Sequence, residues 1–256
     1  MVWFVSDLHL LSEEDGRYAK FCEFLEARER DQTTHVFLVG DIFDLWFGSD
    51  RYFVRRFARA CETVKRLTAK GVQVHYFEGN HDLHLAEIWE KELGAVVHDS
   101  ARYFDLAGWR VRVEHGDQMN PDDRGYLILR EVLRSKTFAW LSKNLPGESI
   151  QQIGDRMSRS SRKWTSSHMK ARDEGAIQKM IRTHAAHAYD EEPFDFLVSG
   201  HVHVRDDYTW NPRESEEARS LNLGSWLGPE VGPLAPMTLL LDAAGVHWKS
   251  LVESTT

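Results

Sequence analysis

Asp7-Leu8-His9 places a carboxylate and an imidazole two residues apart, directly after the apolar run Val2 to Ser6. On its own such a pair is more often a turn than a ligand site. The pattern returns, however, after two more apolar runs. Gly40-Asp41-Ile42-Phe43-Asp44 follows Val36 to Val39, and Gly79-Asn80-His81-Asp82 follows Val72 to Phe77. His115-Gly116-Asp117 and Gly200-His201-Val202-His203 complete a set of five motifs. A lone His-x-His is commonly a surface feature, but five strand-end motifs rich in oxygen and nitrogen donors point jointly to a metal centre. Mixed imidazole and carboxylate ligation suits Mn, Fe or Zn.

For these donors to meet, the runs before them must be strands of one sheet, because open α/β sheets bind ligands at the carboxyl edge of their strands. Short apolar runs alternate with amphipathic stretches at 14–30 and 51–70, which predicts helices between buried parallel strands in a layered α/β fold. Tyr103 to Leu106 and Arg110 to Glu114, joined by Ala107-Gly108-Trp109, read as a hairpin. Further strands are expected at 194–199, 204–210, 220–223, 237–241 and 246–251, the last four forming a second sheet packed on the first.

Residues 125–190 lack strand character. They are helical in propensity apart from a break at Asn144-Leu145-Pro146-Gly147, and too long for a loop. The expected organisation is therefore an α/β body from 1–124 and 191–256 with a helical cap inserted at 125–190. The cap carries 12 Lys and Arg against 6 Asp and Glu, whereas the whole chain is net −8. A basic segment thus sits in an acidic body, and no nucleic-acid partner is expected. The chain has 256 residues, 42% of them hydrophobic, but no apolar run near the roughly 20 residues needed to span a bilayer. Its start reads as a strand, so no export leader is expected and a cytoplasmic location is predicted. Cys22 and Cys61 sit in helical patterns without CxxC spacing and read as small core residues in a reducing compartment.

In this order, DxH, GDxxD, GNHD, HGD and GHxH resemble the motifs of the calcineurin-like metallophosphoesterase superfamily. The resemblance implies a four-layered α/β/β/α sandwich holding two divalent metals. One would be bound by Asp7, His9 and His203, the other by Asn80, His115 and His201, with Asp41 bridging the pair. A shared anion fits the physics, since two dications about 3.5–4 Å apart repel and can clamp a phosphoryl group together. Metal coordination acidifies water, so no Ser or Cys nucleophile is needed. Mn is expected, with Fe, Zn, Co and Mg as alternatives. His81 matches the position that stabilises the phosphoryl group or protonates the leaving oxygen, with Asp44 orienting its ring. Asp82 and Asp117 are expected to support loops.

A narrower resemblance lies in the stretch His115 to Tyr126, which is similar to the HGDxxxxxDD segment of UDP-2,3-diacylglucosamine hydrolases of lipid A synthesis. Chain length, the insertion after it and Leu223-Gly224-Ser225-Trp226 also look like that family, while His81 stands where its members usually carry Arg. The resemblance implies hydrolysis of UDP-2,3-diacylglucosamine to UMP and lipid X, at the inner face of the cytoplasmic membrane. Asn80, His81, His201 and Asp123 would contact substrate. Arg156, Arg159, Arg162 and Lys163 share a helical face able to meet a diphosphate or a membrane surface, which adds Arg159 and Lys163 to the expected contacts. Ile128, Leu129, Val132, Leu133, Phe138, Trp140 and Leu141 offer an apolar face for acyl chains, although such faces usually pack on a body. The alternatives are a phosphatase or diphosphatase for another nucleotide or phospholipid, and a metal-bound scaffold with little catalysis. His35, His75, His84, His98, His168, His184, His187 and His247 are expected to be structural, His184 and His187 at a solvated helix end.

Overall fold

The computed structural model describes residues 1–143, 174–228 and 235–251. Arg156, Arg159, Arg162 and Lys163 lie outside the described residues. The first half alternates strand and helix: β1 (Val2–Val5), α1 (Gly16–Arg28), β2 (His35–Leu38), β3 (Trp46–Phe47), α2 (Arg51–Arg56), α3 (Ala58–Ala69), β4 (Gln73–Phe77), β5 (Asp82–Leu83), α4 (Ala86–Trp89) and β6 (Val96–His98). Then come the hairpin β7 (Arg102–Leu106) and β8 (Trp109–Val113), followed by α5 (Arg124–Arg134), α6 (Lys136–Lys143) and α7 (Glu174–Glu191). The chain closes with β9 (Phe196–Ser199), β10 (Arg205–Trp210), β11 (Ala218–Leu223), β12 (Met237–Asp242) and β13 (Gly245–Ser250).

Two sheets carry the fold. One runs β13-β12-β1-β2-β4-β6, and the other β10-β11-β9-β8-β7. In the first, β1, β2, β4 and β6 are parallel, with Val2 opposite His35 and His35 opposite Gln73. The period-2 alternation of β1 decides which residues face which layer. Val2 and Phe4 join Phe37, Val39 and Phe77 against Val111, Val113, Phe196, Val198 and Leu221 of the second sheet. Trp3 and Val5 point the other way, into a core with Phe21, Leu25, Val64 and Leu67 of α1 and α3. On the outer face of the second sheet, α7 buries Ala185, Ala188 and Tyr189 against Leu197 and Ala218. The layers are therefore helix, sheet, sheet, helix. Helix α7 falls within the stretch read from sequence as an insertion, yet it supplies the fourth layer.

Two local expectations are corrected. The stretch 51–70 is two helices, because Phe57 breaks helical geometry (φ −124°, ψ 38°) and turns its ring onto Phe43, 4.4 Å between centroids. β12 and β13 join the first sheet, with Leu239 and Leu241 facing the inter-sheet core and Leu240 the helical side. They were expected in the second, which takes β7 and β8 instead. The short strands β3, β5 and β6 had no sequence signal strong enough to be read. Cys22 and Cys61 are buried and free, as expected.

His75 on β4 sits between the sheets, its ring stacked on Phe37 at 4.6 Å and edge-on to Phe104 at 5.0 Å. Its Nδ1 faces His98 Nε2 at 3.0 Å, and its Nε2 is buried with no hydrogen-bond partner among the described residues. Burial, then the neighbouring His98, pushes the His75 pKa down to about 3, and burial pushes His98 down to about 4. An unfolded His titrates near 6.5 and so takes up protons that the folded state refuses. Stability is complete above that value and falls as pH drops through the window between about 6.5 and about 3. We expect wild type to lose on the order of 1 kcal/mol more stability than His75→Phe between pH 7.5 and pH 5, measured by urea unfolding.

Candidate metal centre

The loops that leave β1, β2, β4, β8 and β9 converge at one edge of the two sheets, and each carries one of the five motifs. Their backbones are unusual. Asp7, His9, Asp41, His201 and His203 all have positive φ, between 48° and 73°. Left-handed backbone costs a non-glycine residue about 1 kcal/mol or more. Such strain at five donor-bearing residues is held by long-range bonds: Asp7 N to Gly40 O at 3.1 Å, His9 N to Asp41 O at 3.0 Å, and His201 N to Asp7 Oδ2 at 2.8 Å. Gly40 has φ +81°, and a Cβ there would collide with the His115 imidazole. The site thus needs glycine at that position for close approach as well as for conformation.

The donors fall into two groups that share one carboxylate. In the first, His9 Nε2 and His203 Nε2 face each other at 3.0 Å, and Asp7 Oδ1 lies 3.3 Å from His203 Nε2. In the second, Asn80 Oδ1 lies 3.0 Å from His201 Nδ1 and 3.4 Å from His115 Nε2. Asp41 Oδ2 stands between, 3.8 Å from His9 Nε2 and 3.6 Å from His115 Nε2. Its other oxygen is occupied, accepting the amides of Asn80 at 2.9 Å and His81 at 3.0 Å. Metal bonds of about 2.0–2.2 Å leave ligands of one ion roughly 3–4 Å apart, which matches these separations. Asp7 Oδ1 is buried and without a hydrogen-bond partner among the described residues, as expected of an atom that needs a cation. The donor set therefore fits a pair of divalent ions.

The charges agree with the geometry. Burial alone would lift the Asp41 carboxyl, but His115, His81, His9 and His201 outweigh it and hold it far below the carboxylate range. Burial likewise opposes charge on Asp7, and His203 beside it more than compensates. Burial pushes His9 down to about 3, and burial with His115 nearby pushes His201 to about 4, so both imidazoles are neutral with lone pairs to give. His115 is different. Asp41, Asp7 and Asp117 overcome its burial and raise it to about 9, so in the protein alone a proton on His115 balances the carboxylates. The His115 Nδ1–H donates to Val39 O at 3.0 Å, which aims Nε2 into the site.

The structure brings together Asp7, His9, Asp41, Asn80, His81, His115, His201 and His203. His81 Nδ1 lies 2.8 Å from the main-chain carbonyl of Asp44, which only accepts, so this nitrogen carries the proton. The carboxylate of Asp44 is turned toward His9, 3.9 Å from Nδ1. Asp123 caps α5 by accepting from Tyr126 N at 3.0 Å. His184 is not at a solvated helix end as expected, since it pairs with buried Glu114, which also holds Arg112 at 2.8 Å. Several supports were not foreseen. Arg130 and Tyr126 grip Asp117 at 2.6 and 3.0 Å, and Ser225 Oγ donates to Asp7 O at 2.9 Å. Their one-dimensional signal is weak because single Arg, Tyr and Ser residues are ordinary on any surface.

The sequence profile of the family described as calcineurin-like phosphoesterase matches residues 1–205. A UDP-2,3-diacylglucosamine hydrolase of Pseudomonas putida is 27% identical over 229 residues, covering 88% of this chain and 91% of that protein. One from Escherichia coli is 30% identical over 202 residues, covering 78% and 80%. Among solved structures, a dimetal phosphatase from Danio rerio is 14% identical, covers 94% of this chain and 92% of that one, and has a TM-score of 0.42.

Asp82 is the brace beneath the centre. It is fully buried and accepts from Asp41 N at 3.1 Å, Ile42 N at 2.8 Å, Gly79 N at 2.8 Å and Tyr76 OH at 2.6 Å. Burial, then repulsion from Asp41, lifts its carboxyl above the ordinary range. Asp82→Ala would strand those four donors, and we expect a loss of about 3 kcal/mol in urea unfolding of the metal-free protein. Asp82→Asn, which keeps one acceptor, should lose less.

Proposed function

From the footing that the chain belongs to the calcineurin-like phosphoesterase family, a family of metal-dependent hydrolases, we propose that it hydrolyses the diphosphate of UDP-2,3-diacylglucosamine to UMP and lipid X. The observation that carries the chemistry is the single carboxylate, Asp41, shared between two imidazole-lined donor groups. The substrate is supported by similarity to UDP-2,3-diacylglucosamine hydrolases over most of the chain.

Asp7, His9 and His203 would hold one ion, Asn80, His115 and His201 the other, and Asp41 both. Two dications there would neutralise phosphate oxygens and acidify a water for attack on phosphorus. The protein's own contribution is placement and proton control. His81, its Nδ1–H tied to the Asp44 carbonyl, keeps Nε2 as the nitrogen that meets substrate. In protonated form it donates from Nε2 to a phosphoryl oxygen as negative charge builds. Asn80 and His201 border the same space and bind the phosphate, and Asp123 contacts the sugar; Arg159 and Lys163, outside the described residues, are retained as diphosphate contacts on their charge in the sequence alone. We take the metal to be Mn.

A substrate with two acyl chains resides in a membrane, so we place the enzyme in the cytoplasm against the inner face. No helix among the described residues is long and apolar enough to cross a membrane. Contact would come through α5 and α6, where Ile128, Leu129, Val132 and Trp140 are exposed, while Leu133 and Phe138 pack on the body. His81, in place of the usual Arg of the narrower family, favours one second reading, a diphosphatase for another nucleotide.

Purified protein with Mn²⁺ should convert UDP-2,3-diacylglucosamine to UMP, followed by ³¹P NMR, and lose turnover on chelation. Cleavage of generic diesters with the lipid nucleotide left intact would sink the substrate assignment and favour the second reading. His81→Ala should lower kcat by about 10²–10⁴ with metal content unchanged by elemental analysis.

A further inference from the structure

We propose that Arg134 is a positioning residue for the half of the metal centre built by Asn80 and His115, so that helix α5 sets that half alone. This deepens the metal assignment above and rests on it. In the loop from Glu78 to Asp82 the amides point inward: Gly79 N to Asp82, Asn80 N and His81 N to Asp41. The carbonyls of Glu78 and Gly79 are left for another donor. Arg134 supplies it, with Nη2 donating to Glu78 O at 3.0 Å and Gly79 O at 3.1 Å. Its Nη1 donates to Glu78 Oε2 at 3.1 Å and Asp99 O at 3.2 Å. The pair is buried, the side chains of Arg134 and Glu78 being 12% and 8% exposed, so water is a poor substitute for the guanidinium.

One turn earlier on the same face of α5, Arg130 donates to Asp117 Oδ2 at 2.6 Å and to Asp99 O at 3.3 Å. Asp117 lies two residues after His115, and Asn80 Oδ1 is within 3.4 Å of His115 Nε2. Two arginines on one helix therefore grip the two loops that bring Asn80 and His115 together. The other half has different anchors. Asp7 and His9 are bonded to the loop after β2, and Asp7 O accepts from Trp226 N at 3.1 Å. A flat guanidinium offering parallel N–H groups to two adjacent carbonyls is a role that an ammonium fills only in part.

Two measurements test this. In hydrogen exchange on the metal-free protein, Arg134→Gln should speed exchange in the peptide spanning 78–83 by at least about tenfold, leaving the amides of Asp7 and His9 at the wild-type rate. Arg134→Lys should fall between, and it serves if the Gln variant fails to fold. In Mn²⁺ titration of apo protein by calorimetry, Arg134→Gln should weaken one of two sites by about 10–100-fold and spare the other. Unchanged exchange in 78–83, a speed-up spread over the whole sheet, or equal weakening of both sites would overturn the proposal. If wild type bound no second Mn²⁺, the metal assignment would fail, and the exchange result would still decide the role of Arg134.

Discussion

Asp41 is the constraint around which the fold is organised. A buried carboxylate is costly unless cations or donors surround it. Here one oxygen is filled by two main-chain amides and the other is left to two imidazoles that arrive from opposite sheets. His9 comes from the loop after β1 and His115 from the loop after β8, so the two sheets must pack face to face for the charge to be balanced. Leaving Oδ2 to imidazoles alone is stable only if positive charge is added there, either as a proton on His115 or as metal ions.

The sandwich makes this arrangement affordable. Rigid parallel strands fix the roots of the loops, and the inter-sheet core of Phe4, Phe37, Phe77, Val113 and Val198 fixes the sheets against each other. That rigidity lets five residues hold left-handed backbone and lets Gly40 and Gly79 bring loops to distances no larger residue would permit. Strain is stored where donors must converge, and the cores on both sides of the first sheet offset it.

Around the centre lies a ring of buried charge. Glu78 with Arg134, Asp117 with Arg130, and Glu114 with Arg112 each pair a carboxylate with a cation, and His184 closes on Glu114 as well. These pairs join α5 and α7 to the motif loops, so the helices outside the first half of the chain are tied to the chemistry rather than merely packed on the body. Ile128, Leu129, Val132 and Trp140 of α5 and α6 remain exposed beside them.

Much of this was legible in one dimension. Donors following apolar runs at Asp7, Asp41, Asn80, His115 and His201 announced strand ends, because period and donor type are local properties. The layered class followed from the alternation of strands and helices. What stayed hidden depended on pairs remote in sequence. That β12 sits beside β1 rather than in the second sheet, that His184 meets Glu114, and that Arg134 reaches Glu78 and Gly79 are all settled by long-range packing. The family resemblance implied that Asp41 is shared, but its distances to His9 and His115, separated by over a hundred residues of chain, are set by that packing. The sequence by itself determined which donors exist and that they leave strands at a common edge. The resemblance implied their grouping, and only the tertiary structure decided their separations and their left-handed backbone, because distances of 3–4 Å between such residues are set by how the sheets pack.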